Sequence, residues 1–214
     1  MQEVFPRSFY ERDTLWVARA LLGARLVRRE AGHELAGIIT EAEAYVGEQD
    51  LACHAKAGRT ARTQVMYGPG GHAYVYFTYG AHWMLNVVTA PVDSPAAVLI
   101  RAIWPVDGLA WMERHRPRPA QRADAPLPAG WTDGPAKLTQ AFAINGDFNG
   151  LDLCDPESEL CIGPGIPISD DEVLTGPRVG IESVPEPWKS MPWRFRTLKS
   201  LNHRAAAGQA EGKD

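Results

Sequence analysis

Residues 40 to 54 read Thr-Glu-Ala-Glu-Ala-Tyr-Val-Gly-Glu-Gln-Asp-Leu-Ala-Cys-His. Successive side chains in an extended strand point to opposite faces. Glu41, Glu43 and Tyr45 therefore share one face, and the small Thr40, Ala42 and Ala44 share the other. The segment follows the apolar start Gly37-Ile38-Ile39. A carboxylate beside an aromatic ring is costly to bury there unless it is partnered or used. One use is as a general base; an edge strand with a solvated acidic face would give the same pattern. Arg101 interrupts the apolar run Val98-Leu99-Ile100-Arg101-Ala102-Ile103, and Asn86 interrupts Leu85-Asn86-Val87. Buried guanidinium and amide groups need partners, and two of them on neighbouring strands suggest a pocket lining. His54 can be a base, a ligand or a satisfied core histidine. Tyr74 and Tyr76 alternate with Val75 and Phe77, which puts the phenols on one face, as core or as a stacking platform. Tyr79, next to Gly80 where the strand turns, is either a wedge for a nucleic-acid duplex or a ring folded back over the sheet.

Other chemistries leave no trace. Cys53, His54, His72 and His82 form no CxxC, HxxxH or HExxH spacing, so no metal is expected. The glycines of Gly68-Pro69-Gly70-Gly71 precede a strand rather than a helix and read as a turn, and no GxSxG elbow is present.

The elements that must hold these residues can be read from pattern. Asp13 caps a helix through Trp16, Val17, Ala20 and Leu21, stopped by Gly23. Two strands, over 25–28 and 35–45, flank a turn at Ala31-Gly32. Residues 47 to 72 read as a long loop, of a length that is usually either functional or disordered. Strands over 73–78 and 84–89 flank a tip at Tyr79-Gly80-Ala81-His82, and 97–103 is another strand. A helix is expected over 106–115, then a loop to Trp131 holding four prolines. A second helix starts at Gly134-Pro135 and runs through Leu138, Phe142 and Ile144. The acidic stretch to Gly176 reads as irregular, and Arg178 to Ile181 as a last short strand. The mixture predicts an α+β fold in a single domain over 1–204, with 205–214 a disordered tail.

Composition narrows the class. The chain has 214 residues with 45% hydrophobic and 22% charged, enough for one proper core. It contains no apolar run long enough to span a membrane. The first residues lack a signal-peptide layout and the three cysteines are sparse, so a cytoplasmic protein with reduced thiols is expected. The net charge is −4, but unevenly spread. Between Asp147 and Glu182 the only base is Arg178, whereas Lys189, Arg194, Arg196, Lys199 and Arg204 follow with no acid among them. A fold can gather the basic segments onto one surface, so nucleic acid remains a candidate partner.

Several stretches together resemble the alkyladenine type of 3-methyladenine DNA glycosylase. They are Glu41-Ala42-Glu43-Ala44-Tyr45, Asp50 with His54, Met66 to Gly70, Tyr74 to Gly80 and Leu85-Asn86-Val87. Leu99 to Ala102, Asp133 to Leu138, Ala143-Ile144-Asn145 and Pro177 to Ile181 continue the likeness, in order, from about Leu21 to Arg196. The resemblance implies a curved antiparallel sheet with surrounding helices and a protruding β-hairpin that inserts into DNA. It implies a monofunctional, cofactor-free, metal-free hydrolase of double-stranded DNA, expected as a monomer with no membrane partner. Such an enzyme excises alkylated or deaminated purines of the 3-methyladenine, 7-methylguanine, hypoxanthine and ethenoadenine kind and leaves an abasic site; a catalytically silent damaged-DNA-binding module is the alternative.

Carried over by position, Glu43 activates water and Arg101 helps hold it. Tyr45, His54 and Tyr76 line the base pocket, and Asn86 helps reject guanine's exocyclic amine. Tyr79 fills the gap in the duplex, and the segment from Gly134 to Leu138, with Gly134 and Lys137, lies along the DNA backbone. Thr63 stands where the family commonly has Asn, Tyr67 where Phe is usual, and Cys53 in place of a small residue, which reads as packing.

Overall fold

A computed structural model describes residues 3–117 and 130–198 of the chain. After a single helical turn, α1 (Arg7–Tyr10), the Asp13 side chain accepts the Trp16 amide hydrogen at 2.9 Å and caps α2 (Thr14–Ala20). Gly23, at φ +85°, then turns the chain into β1 (Arg25–Glu30). Ala31 and Gly32, both at positive φ, make the tight turn whose twist matches the strands it joins, and β2 (His33–Val46) returns alongside. The strands β3 (Ala73–Thr78) and β4 (His82–Thr89) pair directly, and β5 (Ala96–Asp107) follows. The rest comprises α3 (Leu109–His115), α4 (Pro135–Ala141), β6 (Leu160–Gly163), β7 (Val173–Gly176) and β8 (Arg194–Thr197).

All strands join one antiparallel sheet in the order β3-β4-β5-β2-β1-β6, with β8 against the second half of β2 and β7 outside it. The sheet curls into a half-barrel within a single mixed α/β domain. β2 is interior over its central part. Its first half lies between β1 and β5, and Glu41 to Glu43 lie between β5 and β8. The edge-strand reading of this segment is thereby excluded. The β2–β5 register slips at Thr40 on one strand and at Arg101 on the other, each left without a ladder partner. Such bulges increase local twist and re-aim side chains.

The face carrying Ala42 and Ala44 packs into the main core with Val75, Leu85, Val98 and Ile100. Val17 of α2 with Leu21 just after it, Met112 of α3, and Leu138 and Ala141 of α4 close that core. A separate cluster of Cys53, Ala55, Met66, Tyr74, Val88 and Ala97 supports the other side of β3 to β5. The helices are few and short, four to seven residues each among those described, rather than a surrounding layer.

Several sequence expectations are corrected. The helix expected from Val106 starts at Leu109, because β2 offers partners to β5 as far as Asp107 before Gly108 turns left-handed. α4 stops at Ala141; Phe142 and Ile144 are buried all the same, on either side of Ala143 at φ +49°. The acidic stretch is not wholly irregular, since Leu160–Gly163 pairs with β1 and Val173–Gly176 pairs with β8. Residues 178–181 form no strand, and the last strand instead lies at 194–197 in the basic segment. Long-range pairing decides each of these short elements. The 47–72 loop holds two 3₁₀ turns, His54–Ala57 and Gln64–Tyr67. The expected tail at 205–214, and most of the proline-rich loop, lie outside the described residues.

Gly23 is required on two counts: its positive φ, and the collision a Cβ would make with the Ile166 carbonyl oxygen and Ile168. Gly23→Ala is expected to cost about 2 kcal/mol or more, read as a lowered midpoint in urea unfolding with an unchanged slope.

Candidate active site

Glu43 is completely buried, the consequence of lying mid-strand between β5 and β8. Three donors from three parts of the chain meet its carboxylate. The Tyr45 hydroxyl, two residues along the same face, donates to Oε2 at 2.9 Å. Arg101 Nη1, from the bulge in β5, donates to Oε2 at 3.3 Å. The backbone amide of Val179 donates to Oε1 at 2.8 Å. Arg101 is held in turn by Glu41, whose Oε1 accepts from Nε at 2.7 Å. The shared face read from the sequence is therefore realised, with Glu41 and Glu43 joined through one guanidinium and Tyr45 bonded to Glu43.

Burial pushes the Glu43 carboxyl up, against the pull of Arg101, the Val179 amide and the Tyr45 hydroxyl; Glu41 adds to the rise. Burial also tends to lower Arg101, but Glu43 and Glu41 outweigh it and keep the guanidinium charged. Burial holds the Tyr45 phenol far above its ordinary range, with the Glu43 carboxylate adding to the effect, so it remains a donor.

Tyr45, Arg101 and Val179, the three partners of Glu43, all line a cavity of about 310 Å³. His54, Tyr74, Tyr76, Asn86 and Tyr79 line it as well. This size suits a small planar ligand. His54 Nδ1 lies 2.9 Å from the Tyr74 hydroxyl, and its ring meets Tyr76 edge-on at 4.5 Å between centroids. Burial, aided by the positive charges of Arg62 and Lys56, lowers the His54 pKa to about 4, so the imidazole is neutral at pH 7. Burial raises the Tyr76 phenol to about 12. Asn86 is buried, and its Nδ2 donates to the Tyr74 carbonyl at 3.0 Å, which fixes the amide. Cys53 is buried in the cluster beneath, its thiol raised to about 12 by burial, as a packing residue would be.

Tyr79 stands at the β3–β4 turn, 83% exposed. Tyr79 and Gly80 both have positive φ, and the Ala81 amide donates to the Thr78 carbonyl at 3.1 Å. The ring is not folded back over the sheet. Gly134 and Lys137 lie at the start of α4, whose Pro135 reaches the cavity wall. Lys137 Nζ is engaged at 2.8 Å by both the Gly130 carbonyl and Asp133. Of the nine residues singled out, six line this one cavity, Glu43 lies behind it bonded to three of its lining residues, and Gly134 and Lys137 belong to the α4 segment whose Pro135 forms part of the wall.

Reasoning from residue types missed the Val179 amide, because a backbone donor has no residue signature. It also gave no role to Asp50 and Arg178, although a lone base inside an acidic stretch was a signal. Among the described residues no group of three or more His, Cys, Asp and Glu could hold a metal ion, and no helix is long and apolar enough to cross a membrane.

The family model for methylpurine-DNA glycosylase matches residues 8–200. A protein of Myxococcus xanthus is 44% identical over 190 residues, 89% of this chain and 88% of its own length. One from Carboxydothermus hydrogenoformans is 44% identical over 192 residues, 90% of this chain and 94% of the relative. One from Chlorobium phaeobacteroides is 42% identical over 206 residues, 96% and 98%. All three are assigned by name as 3-methyladenine DNA glycosylases.

Two outcomes follow from the site itself. His54 is expected to stay neutral down to about pH 5, seen as unchanged imidazole ¹⁵N shifts in an NMR titration, since its pKa is lowered to about 4. Tyr79 is strained at φ +53°. Tyr79→Asn, a residue that tolerates this conformation, is expected to stabilise the fold by up to about 1 kcal/mol in denaturant unfolding.

Proposed function

The chain belongs to the methylpurine-DNA glycosylase family, and from that membership we propose that it excises damaged purines from duplex DNA by hydrolysing the N-glycosidic bond. Its substrates are alkylated or deaminated purines of the 3-methyladenine, 7-methylguanine, hypoxanthine and ethenoadenine type, and its product is an abasic site. One observation carries the reading: a dry carboxylate whose three hydrogen-bond partners all line a purine-sized cavity beside an exposed aromatic turn.

A base inside a duplex must leave the stack before its glycosidic bond can be reached, and damaged bases unstack at lower cost. Tyr79 takes the vacated space and offsets part of that cost. The extruded purine enters between Tyr45, His54 and Tyr76. A cationic alkylpurine gains about 0.5–2 kcal/mol from the aromatic faces, and the neutral His54 does not repel it. Asn86, fixed by its bond to the Tyr74 carbonyl, disfavours guanine's exocyclic amine.

An ionised carboxylate offers about four acceptor positions. Tyr45, Arg101 and Val179 take three on Glu43, and the fourth receives a proton of the attacking water, which Arg101 helps to hold. The water oxygen bonds to C1′ as the C1′–N bond breaks, through a sugar of oxocarbenium character. The bonding pair leaves with the purine, so a cationic alkylpurine departs neutral, and a neutral lesion departs as its anion and then takes a proton from water. The water's proton passes to Glu43. No amine attacks the sugar, so the enzyme is monofunctional and leaves the strand uncut. Gly134 and Lys137, at the start of α4, lie along the DNA backbone, with Lys137 exchanging its Asp133 partner for a phosphate.

Single-turnover base release from duplexes carrying hypoxanthine or ethenoadenine, and from methylated DNA, tests this. Glu43→Gln is expected to slow release by about 100- to 10,000-fold while lesion binding persists, and abasic product should remain uncleaved until alkali is added. Tight lesion binding by the wild type with no release from any substrate would instead identify a silent damage-binding module.

A further inference from the structure

Arg178 is the one base between Asp147 and Glu182, yet it is not a surface charge. Its side chain and that of Asp50 are both fully buried, facing each other as a fork. Nη1 donates to Asp50 Oδ2, and Nη2 donates to Oδ1 at 2.9 Å. Nη1 also donates to the Ala44 carbonyl at 2.9 Å, on the strand that carries Glu43 and Tyr45. Nη2 reaches the Trp188 carbonyl at 3.3 Å. The guanidinium lies over the rings of Tyr45 and Trp193, at 4.6 and 5.0 Å from their centroids. Asp50 in turn accepts the Val46 and Ala52 amides at 3.1 and 3.0 Å, which fixes the loop leaving β2. Nothing in the glycosidic chemistry uses this pair, which is too deep to meet substrate.

Its neighbour does bear on that chemistry. Val179 follows Arg178 directly and gives its amide hydrogen to Glu43 Oε1. The segment 177–181 is irregular, without a strand ladder to hold it. We infer that the Asp50–Arg178 pair is a positioning device for Glu43: it pins this segment to the end of β2 so that the Val179 amide stays on the carboxylate. The inference rests on Glu43 being the water-activating base.

The amide matters because burial outweighs all three donors on Glu43 together, so the carboxyl has none to spare. The groups facing it are Tyr45 and Glu41 on β2, Arg101 on β5, the more distant Tyr76 on β3, and the Val179 amide. Arg194 on β8 lies against Glu41 at 3.5 Å. Glu41 opposes ionisation, and Arg101 is shared with it. Removing the amide therefore shifts Glu43 toward its protonated form, which cannot take a proton from water.

A double variant, Asp50→Leu with Arg178→Met, removes both charges together and so leaves no buried charge unpaired. It is compared with Arg178→Lys, which keeps the charge but loses the fork. Single-turnover release is measured from pH 5 to 9, with thermal melting and lesion-duplex binding in parallel. In folded variants that still bind lesion, the acid limb is expected to move up by about one pH unit. The loss then approaches about tenfold on the acid side of the limb and shrinks as pH rises. An unchanged profile, or a loss equal at every pH, overturns the inference. Failure of both variants to fold overturns it too, by making the pair a requirement of the scaffold. Release unaffected by Glu43→Gln would sink the base assignment itself, so the two failures are distinct.

Discussion

Burying one carboxylate without a matching buried counter-ion of its own is the constraint around which this protein is built. Glu43 has no exposure, and an unpaired charge in such a place would cost several kcal/mol. Three donors compensate it, and they come from β2, from the bulge in β5 and from the irregular segment after β7. The sheet is shaped so that these can converge. β8 must cover the second half of β2 to keep water out, and the β5 register must slip at Arg101. The compensation remains incomplete, since burial still holds the carboxyl above its ordinary range. A carboxylate in that condition is a better proton acceptor than a free one.

The cavity in front of it is arranged on the opposite principle. Its wall is aromatic and hydrogen-bonding, and the one formally charged side chain in it is Arg101, which is matched from behind by Glu41 and Glu43. His54 is kept neutral and the tyrosines are kept protonated. Such a wall favours a flat π face, and the Asn86 amide at its edge is fixed in orientation by the Tyr74 carbonyl. The exposed turn at Tyr79 adds the complementary cost: an aromatic residue held in a left-handed conformation and in water, which folding alone does not reward.

Local signals were strong enough to be read directly from the chain. The alternation through residues 41–45 placed two acids and a phenol on one face whatever strands flanked them, because the side-chain period of a strand is two. Asp13 and Gly23 marked the ends of α2 through capping and φ alone. Ala31-Gly32 and Tyr79-Gly80 marked turns by the same logic. Several motifs in register also made the family legible before any coordinates.

What the chain could not reveal alone was contact at long range. Whether residues 40–46 form an edge or an interior strand depended on β8, 150 residues later, in a segment read as a basic tail. The short strands β6 and β7 exist only because β1 and β8 offer them partners. Propensity cannot register that, since four residues carry too little signal. The Val179 amide on Glu43 and the Arg178–Asp50 fork were likewise invisible. A backbone donor has no residue code, and a buried ion pair is encoded by two positions whose meeting only the fold decides. The sequence determined which groups are present and which faces they share; tertiary structure decided which are dry, which are partnered and therefore which can hold or lose a proton.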